Sequence, residues 1–212
     1  MNDPHIAQLA DLIAARFDAS RRFLVAVAGP PGAGKSTLAE ALAPALNARL
    51  PDQPGIVVPM DGFHYDDGLL KERGLLSRKG APDTFDADGF RALLRRLKSE
   101  MTPIAIPVFD RSLEISRGSA RIVEPRHRLL VIEGNYLLLD RPIWRDLKPL
   151  FDLTIALKPS IDLIEKRLIQ RWLDYGFDRE AAIEKARGND LANAHVVLEE
   201  SQKADIELAD GV

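Results

Sequence analysis

The feature that most constrains this chain is a glycine-rich segment between an apolar run and a helical pattern. Residues 29–37 read Gly-Pro-Pro-Gly-Ala-Gly-Lys-Ser-Thr and fit G-x-x-x-x-G-K-[ST]. They follow the apolar run Phe23–Ala28 and precede a helical segment, which is the order of elements that such a loop needs. Glycines let successive backbone N–H groups point inward at phosphates, and a helix N-terminus favours anions. The segment therefore predicts an α/β fold that binds a nucleoside triphosphate.

Each part of this loop has a predicted role. Lys35 would reach the β- and γ-phosphates of ATP, and the Ser36 hydroxyl would bind Mg²⁺. A glycine-rich turn with a chance lysine is the alternative interpretation. The predicted ATP-binding residues are Gly29, Pro30, Pro31, Gly32, Ala33, Gly34, Lys35, Ser36 and Thr37.

Helical and strand patterns alternate along the chain, which is typical of βαβ units around a mostly parallel sheet. Helices are predicted over 4–17, 35–50, 86–99, 159–175 and 179–201, and strands over 23–28, 55–60, 104–109, 128–133, 153–157 and, at an edge, 204–208. Residues 62–85 have no clear period, and a loop of that length is usually functional or disordered. We expect one domain over 1–212, with a three-layer fold that carries helices on both faces of the sheet and a small lid.

The composition of the chain excludes several classes of functional site and argues against several kinds of partner. The 212 residues contain no cysteine, which excludes disulfides, thiolate metal sites and a cysteine nucleophile. The formal net charge of −3 argues against a general nucleic-acid binder. The N-terminal sequence MNDPHIAQ lacks a basic signal-peptide segment, and no stretch of about 18 apolar residues occurs. We therefore expect a cytoplasmic protein without a membrane or nucleic-acid partner.

Two acidic residues follow predicted strands. Asp61 comes after Ile56–Met60, and Glu133 ends the apolar run that begins at Leu129. Ligands of open parallel sheets sit beyond the carboxyl ends of the strands, so both carboxylates are expected to face the glycine loop. Glu133 would then bind Mg²⁺, and Asp61 could accept a proton from a substrate hydroxyl. The alternative is that each acid caps a helix or pairs with an arginine.

Several segments together resemble the P-loop kinases of the phosphoribulokinase and uridine kinase family. These segments are AVAGPPGAGKST, MDGFHYDD, RKGAPDTFD, IPVFD, LLVIEGNYLLL, RLIQRWLD and ADIEL. MDGFH is similar to the Asp-x-Phe element of uridine and pantothenate kinases, and residues 78–86 resemble a segment of bacterial pantothenate kinase. The combination of IEGNYLLLD, RWLDYG and ARGNDLANA is most similar to bacterial sugar-transport-linked or fructokinase-like kinases.

The resemblance implies a role for each matching position. Lys35, Asp61 and Glu133 would be catalytic, with Asp61 as the base and Ser36 and Glu133 as the Mg²⁺ ligands. Arg167 and Arg171 match the arginines of the family's lid, here about 167–190, and residues 62–85 match the acceptor-binding region. The implied substrate-binding residues are Asp61, His64, Asp83, Phe85, Asp110 and Arg111. Homodimerisation is a further expectation from the relatives.

Departures from the family pattern bear on the substrate. Glu114 stands where uridine kinase has a histidine, and residues 175–179 replace its lid Arg-Gly-Arg, which argues against a pyrimidine nucleoside. We expect an ATP- and Mg²⁺-dependent kinase that phosphorylates a hydroxyl of a small, mostly uncharged molecule such as a sugar, a nucleoside or a pantothenate-like compound. A mononucleotide kinase and a nucleotide-binding regulator of sugar transport with little turnover are the alternatives.

Overall fold

The computed structural model describes residues 4–52 and 55–209. The predicted domain 1–212 therefore includes positions 1–3, 53–54 and 210–212, which lie outside the described residues. The strands of the described part are β1 Phe23–Ala28, β2 Gly55–Pro59, β3 Ile104–Asp110, β4 Ile115–Val123, β5 Leu129–Gly134, β6 Leu153–Leu157 and β7 Ile206–Leu208. Five of them form a sheet in the order β2-β5-β1-β6-β7, and every pairing in it is parallel.

Helices cover both faces of this sheet. They are α1 Pro4–Arg16, α2 Lys35–Arg49, α3 Asp67–Glu72, α4 Ala87–Ser99, α5 Ile161–Asp174, α6 Arg179–Lys185 and α7 Leu191–Glu200. A π-helical segment, Ala186–Asp190, joins α6 to α7. None of the helices over the described residues has the length and apolarity to cross a bilayer.

The side chains of the central strand, β1, pack against helices on both faces of the sheet and so define its three layers. Successive side chains of a strand point to opposite faces, and all six residues of β1 are buried. Val25 and Val27 pack with α1 and α2 on one face, whereas Leu24 and Ala26 belong to the cluster that includes α4 on the other face. The structure thus confirms the three-layer α/β fold with a mostly parallel sheet.

The predicted strand over 104–109 exists, but it lies outside the five-stranded sheet. It forms β3, which pairs antiparallel with β4 in a separate two-stranded sheet. The strand β4 was not predicted. This hairpin packs on the turn Met60–Phe63 that follows β2, and a Cβ built on Gly62 would lie only 2.5 Å from the Pro107 carbonyl oxygen. The contact brings the hairpin tip beside Asp61.

Other boundaries differ by small amounts. The second predicted strand ends at Pro59 rather than residue 60, because the chain turns there into a 3₁₀ segment. Residues 62–85, expected as a loop, contain α3 and two 3₁₀ turns. The last strand is shorter than predicted and lies at the sheet edge beside β6.

Candidate active site

The glycine loop connects β1 to the first turn of α2. Gly32 and Gly34 have φ values of 77° and 93°, a left-handed backbone that favours glycine. A Cβ built on Gly32 would also lie 3.2 Å from Leu168 Cγ in α5, so the loop packs closely beneath that helix. Gly29, Pro30 and Ala33 are buried. The segment therefore has the conformation that directs backbone N–H groups and the α2 N-terminus at a phosphate.

Lys35 follows this loop and is only 8% exposed. Its Nζ donates a hydrogen bond to the Pro30 carbonyl oxygen, at 2.9 Å. Burial lowers the pKa of Lys35 to about 8, and the neighbouring carboxylates of Glu133 and Asp61 oppose that shift. The ammonium is thus held under the loop, close to the position that phosphates would take.

Three neighbouring strands end at the same edge of the sheet and bring the predicted acids to the loop. β5 lies between β1 and β2, with Glu133 in register with Val27 and Pro59. Glu133 accepts a hydrogen bond from the Ser36 hydroxyl, at 3.2 Å. Burial and the nearby Asp61 carboxylate raise the pKa of Glu133. A cation bound here would favour the charged form of Glu133 and so oppose both causes of its raised pKa.

The donor set at this position fits Mg²⁺. A hydroxyl and a carboxylate are hard oxygen ligands, and Mg²⁺ usually takes one or two carboxylates together with waters and substrate phosphates. Over the described parts of the chain, no group of three or more histidine and acidic side chains forms a metal site from protein ligands alone. The residues that would hold Mg²⁺ are therefore Ser36 and Glu133, with phosphate completing the shell.

Asp61 faces the hairpin tip. Its Oδ2 accepts from Arg111 Nη2 at 2.6 Å, and Arg111 lies in the turn between β3 and β4. His64 Nδ1 lies 2.8 Å from the Asp61 carbonyl oxygen, and its ring stacks 4.0 Å from Phe85 and 4.8 Å from Phe109. Burial lowers the pKa of His64. The histidine thus braces the backbone that carries the candidate base.

The predicted lid arginines lie on α5, beside the loop. Arg167 Nη1 donates to the carbonyl oxygens of Ala33 and Gly32, at 3.2 and 3.4 Å. Arg171 Nη2 donates to Asp190 Oδ2 at 2.7 Å, whereas its buried Nε finds no hydrogen-bond partner within the described part of the chain. Arg167 therefore fastens α5 to the glycine loop, and Arg171 retains a free donor.

These groups line one cavity of about 960 Å³. The structure brings to it Lys35, Ser36, Asp61, Glu133, His64, Arg111 and both lid arginines. Sequence reasoning missed several residues of the same lining, among them Lys79, Phe109, Trp172, Tyr175, Phe177 and Asn193. The aromatic residues directly after Arg171 were a usable signal, because apolar rings are unusual on a helix end that faces solvent. Asn193 gave no such signal.

Three predicted substrate-binding residues do not line this cavity. Phe85 is 3% exposed and packs against Tyr136 and Trp144 in the core. Asp83 is exposed. Asp110 accepts hydrogen bonds from Ser112 and pairs with Arg117 within the hairpin. Their substrate-binding role stays a prediction, with Phe85 placed to support His64 from behind.

Comparison with models of protein families identifies the family of this chain. The model described as "Phosphoribulokinase / Uridine kinase family" matches residues 24–209, which include β1 from its second residue and all of β2–β7. The chain belongs to the phosphoribulokinase/uridine kinase family. The match confirms the resemblance that the sequence motifs indicated.

Individual proteins are similar to this one over most of the chain. A Schizosaccharomyces pombe protein named "Putative uridine kinase C227.14" is 37% identical over 198 residues, covering 89% of this chain and 83% of its own. The structure of a "putative fructose transport system kinase" from Silicibacter sp. TM1040 is 47% identical, with a TM-score of 0.91 and coverage of 95% of this chain and 98% of the other. Pantothenate kinase from Coxiella burnetii is 30% identical over 162 residues, 72% of this chain and 50% of its own.

The lowered pKa of the loop lysine in this family member leads to a binding prediction. A lysine with a pKa of about 8 is charged at pH 7 and mostly neutral at pH 9. We expect the affinity for ADP to fall about tenfold over that range, because the neutral amine no longer attracts phosphate. Calorimetric titration with ADP across pH measures this. Lys35→Arg, which stays charged, should give a much flatter profile, and equal slopes in the two proteins would contradict the assignment.

Proposed function

We propose that this protein transfers the γ-phosphoryl group of ATP to a hydroxyl of a small molecule, with Mg²⁺. The observation that carries the proposal is the convergence of Lys35, Glu133 and Asp61 on one cavity that continues from the glycine loop to the lid. A triphosphate at the loop would place its terminal phosphate toward the two carboxylates, and the remaining space accommodates a second ligand.

The loop and its lysine bind and orient the nucleotide. Backbone N–H groups of residues 32–37 and the Lys35 ammonium would hold the phosphates, and Ser36 and Glu133 would hold Mg²⁺. When bound, Mg²⁺ would neutralise negative charge on the phosphates. Because Glu133 is 8% exposed, its carboxylate acts in a position with little competing water.

Asp61 would be the base. Arg111 occupies Oδ2 of its carboxylate, so Oδ1 remains for the acceptor hydroxyl. As the acceptor oxygen attacks the γ-phosphorus, its O–H bond breaks and Asp61 takes the proton. A new O–P bond forms, and the bond between the γ-phosphorus and the bridging oxygen breaks to release ADP. General-base assistance of this kind contributes about 10²–10⁴-fold to a rate.

Arg171 is suited to act on the moving phosphoryl group. Arg171 lines the same cavity and its Nε is an unpaired donor among the described residues, and a donor that meets developing negative charge stabilises a transition state. Arg167 acts differently, because its guanidinium is committed to two carbonyl oxygens of the glycine loop. We infer that Arg167 positions the loop and Arg171 contacts the phosphoryl group.

The names of the relatives support a hydroxyl acceptor. The similar proteins described above are named for uridine, fructose transport and pantothenate. These three compounds share an alcohol group and differ in almost everything else.

Acceptor-dependent release of ADP tests the proposal. We expect ADP release in the presence of Mg²⁺ to rise at least about tenfold over the acceptor-free rate with one member of a panel of sugars, nucleosides and pantothenate, and to cease when EDTA removes the metal. A coupled pyruvate kinase and lactate dehydrogenase assay measures it. Tight ATP binding with no acceptor-dependent release across the panel would instead favour a nucleotide-binding regulator.

A further inference from the structure

Three aromatic side chains of the lid face the cavity, and we call them the lid wall: Trp172, Tyr175 and Phe177. Their rings pack edge to face, with centroids 5.7 Å apart for Trp172–Tyr175 and 5.4 Å for Trp172–Phe177. Tyr175 and Phe177 are 55% and 38% exposed although they line a cavity. Exposed aromatic surface in a concave site is typical of a ligand-binding wall.

A buried carboxamide lies close to this wall. Asn193, on α7, is 3% exposed and lines the cavity, yet its Oδ1 has no hydrogen-bond partner among the residues that the structure describes. Buried polar atoms are nearly always paired, so an unpaired one calls for a missing partner. A Cβ built on Gly80 would lie 3.8 Å from the Asn193 Nδ2, which places the carboxamide opposite the acceptor-binding region. The Trp172 indole donates a hydrogen bond to Asp190. Asp190 lies about one helical turn before Asn193, so this bond keeps Trp172 near the carboxamide.

The cations that line this part of the cavity already have partners in the protein. A carboxylate or phosphate on the acceptor would need a positive charge that the protein leaves uncompensated. Three of these cations pair with carboxylates: Arg111–Asp61 at 2.6 Å, Lys79–Asp67 at 2.7 Å and Arg171–Asp190 at 2.7 Å. Arg167, also in the lining, donates to carbonyl oxygens of the glycine loop, and Lys185 lies outside the lining, with its Nζ 4.8 Å from the Trp172 and Phe177 ring centroids. Apart from Arg171 Nε, which we assign to the phosphoryl group, the unpaired buried side-chain atom beside the lid wall, among the described residues, is Asn193 Oδ1.

We propose that the acceptor is an uncharged polyhydroxylated ring compound of monosaccharide size, bound between the lid wall and the Asn193 carboxamide. A carboxamide offers one acceptor and two donors, so adjacent hydroxyls of such a ring can donate to Oδ1 and accept from Nδ2. The C–H face of the ring would lie on Tyr175 and Phe177 and cover their exposed surface. This inference rests on the proposed function and names the substrate class of the same site.

Trp172 makes ligand binding at the lid wall measurable by fluorescence. The chain has two tryptophans, and the other, Trp144, is 4% exposed in the core, away from the cavity lining. Fluorescence titration of the wild-type protein and of Trp144→Phe therefore follows Trp172. The probes are D-fructose and D-ribose as neutral polyhydroxy rings, uridine as a nucleoside, and D-glycerate and pantothenate as carboxylates. We expect saturable emission changes with a neutral sugar and none with the carboxylates.

Two substitutions test the assigned contacts. Asn193→Leu, which keeps the shape but removes the amide, and Phe177→Ala should each weaken sugar binding about tenfold and raise the acceptor KM by the same factor. The Kd for ADP should stay within about twofold, since neither side chain is assigned to the nucleotide. Gln202→Leu removes an amide, and Ile122→Ala an exposed apolar side chain, outside the cavity lining. Both controls should leave sugar binding unchanged.

Three outcomes would overturn the inference. They are a response only to D-glycerate or pantothenate, uridine binding that depends on Phe177 but not on Asn193, and no response to the neutral sugars at millimolar concentration. ADP release that depends on D-glycerate would overturn the inference while leaving the kinase proposal standing. A sugar that binds with the expected dependence but never promotes ADP release would leave the binding inference standing and remove the kinase proposal.

Discussion

Replacing Asp61 by asparagine is expected to lower kcat at least about 10²-fold while leaving the affinity for ATP within about twofold. The amide is nearly isosteric with the carboxylate but cannot take the acceptor's proton. Oδ2 of Asp61 bonds to Arg111 and the residue lines the cavity opposite the glycine loop, so the change acts where the acceptor hydroxyl would lie. ATP itself would be held by the loop and Lys35, which this substitution does not touch.

The measurement separates chemistry from binding. Single-turnover transfer of labelled phosphate gives the rate, and a fluorescent ATP analogue gives the affinity. Asp88→Asn is a suitable control, because Asp88 is an exposed carboxylate on α4 that pairs only with Arg91 of its own helix. Turnover that is equal in the Asp61→Asn and Asp88→Asn proteins would remove Asp61 from the mechanism.

The sequence predicted the central sheet well because its strands are buried on both faces. β1, β5 and β6 are apolar runs in which every residue is buried, and a run of that kind is visible without knowing its partners. β4 shows the opposite case. It reads Ile-Ser-Arg-Gly-Ser-Ala-Arg-Ile-Val, and only Val123 is buried. Its strand conformation depends on pairing with β3, which is tertiary information that no local pattern contains.

The candidate site also contains one part that could be predicted from local sequence and another that depends on tertiary packing. The glycine loop, Lys35 and Ser36 could be predicted because nine consecutive residues form the phosphate-binding backbone. The lid wall and Asn193 could not, since they meet only when the lid helices pack. The π-helical segment Ala186–Asp190 adds a residue to a helical turn and shifts the register between α6 and α7. A period of 3.6 residues read through that point assigns the wrong face to Asn193.

The burial of Arg22 could not be predicted from the sequence either, where Arg21-Arg22 simply precedes an apolar run. Arg22 is 0% exposed. Its guanidinium donates to the backbone carbonyl oxygens of Glu100 at 2.7 Å, of Thr102 and Glu124 at 3.3 Å, and of Leu97 at 3.4 Å. Burial lowers the pKa of this guanidinium, and the positive charge of Arg128 adds to that effect. The side chain connects the start of β1 to the end of α4 and to the two segments that lead into and out of the hairpin.

Arg22→Met is therefore expected to destabilise the protein by at least about 3 kcal/mol, because four carbonyl oxygens, most of them in part-buried hydrogen bonds, lose their donor at once. Methionine fills much of the same volume, so the loss of hydrogen bonds rather than a cavity dominates the change. Urea denaturation followed by circular dichroism gives the free energy of unfolding. The denaturation midpoint should fall with little change in the m-value, since the surface exposed on unfolding stays similar.

Arg96→Met is the matched control, because it removes an arginine from the end of α4, the helix end that Arg22 contacts. Arg96 is exposed and pairs with Glu100 at 3.1 Å, and exposed pairs of this spacing contribute about 0.3–0.5 kcal/mol. The two substitutions delete the same charge and add the same side chain, so they differ in burial and in the carbonyl oxygens left unpaired. Because the hairpin tip carries Arg111 to Asp61, the Arg22 variant should also weaken acceptor binding before it unfolds, whereas the Arg96 variant should not. Equal free energies of unfolding in the two variants would show that the buried guanidinium does not fasten the hairpin to the sheet.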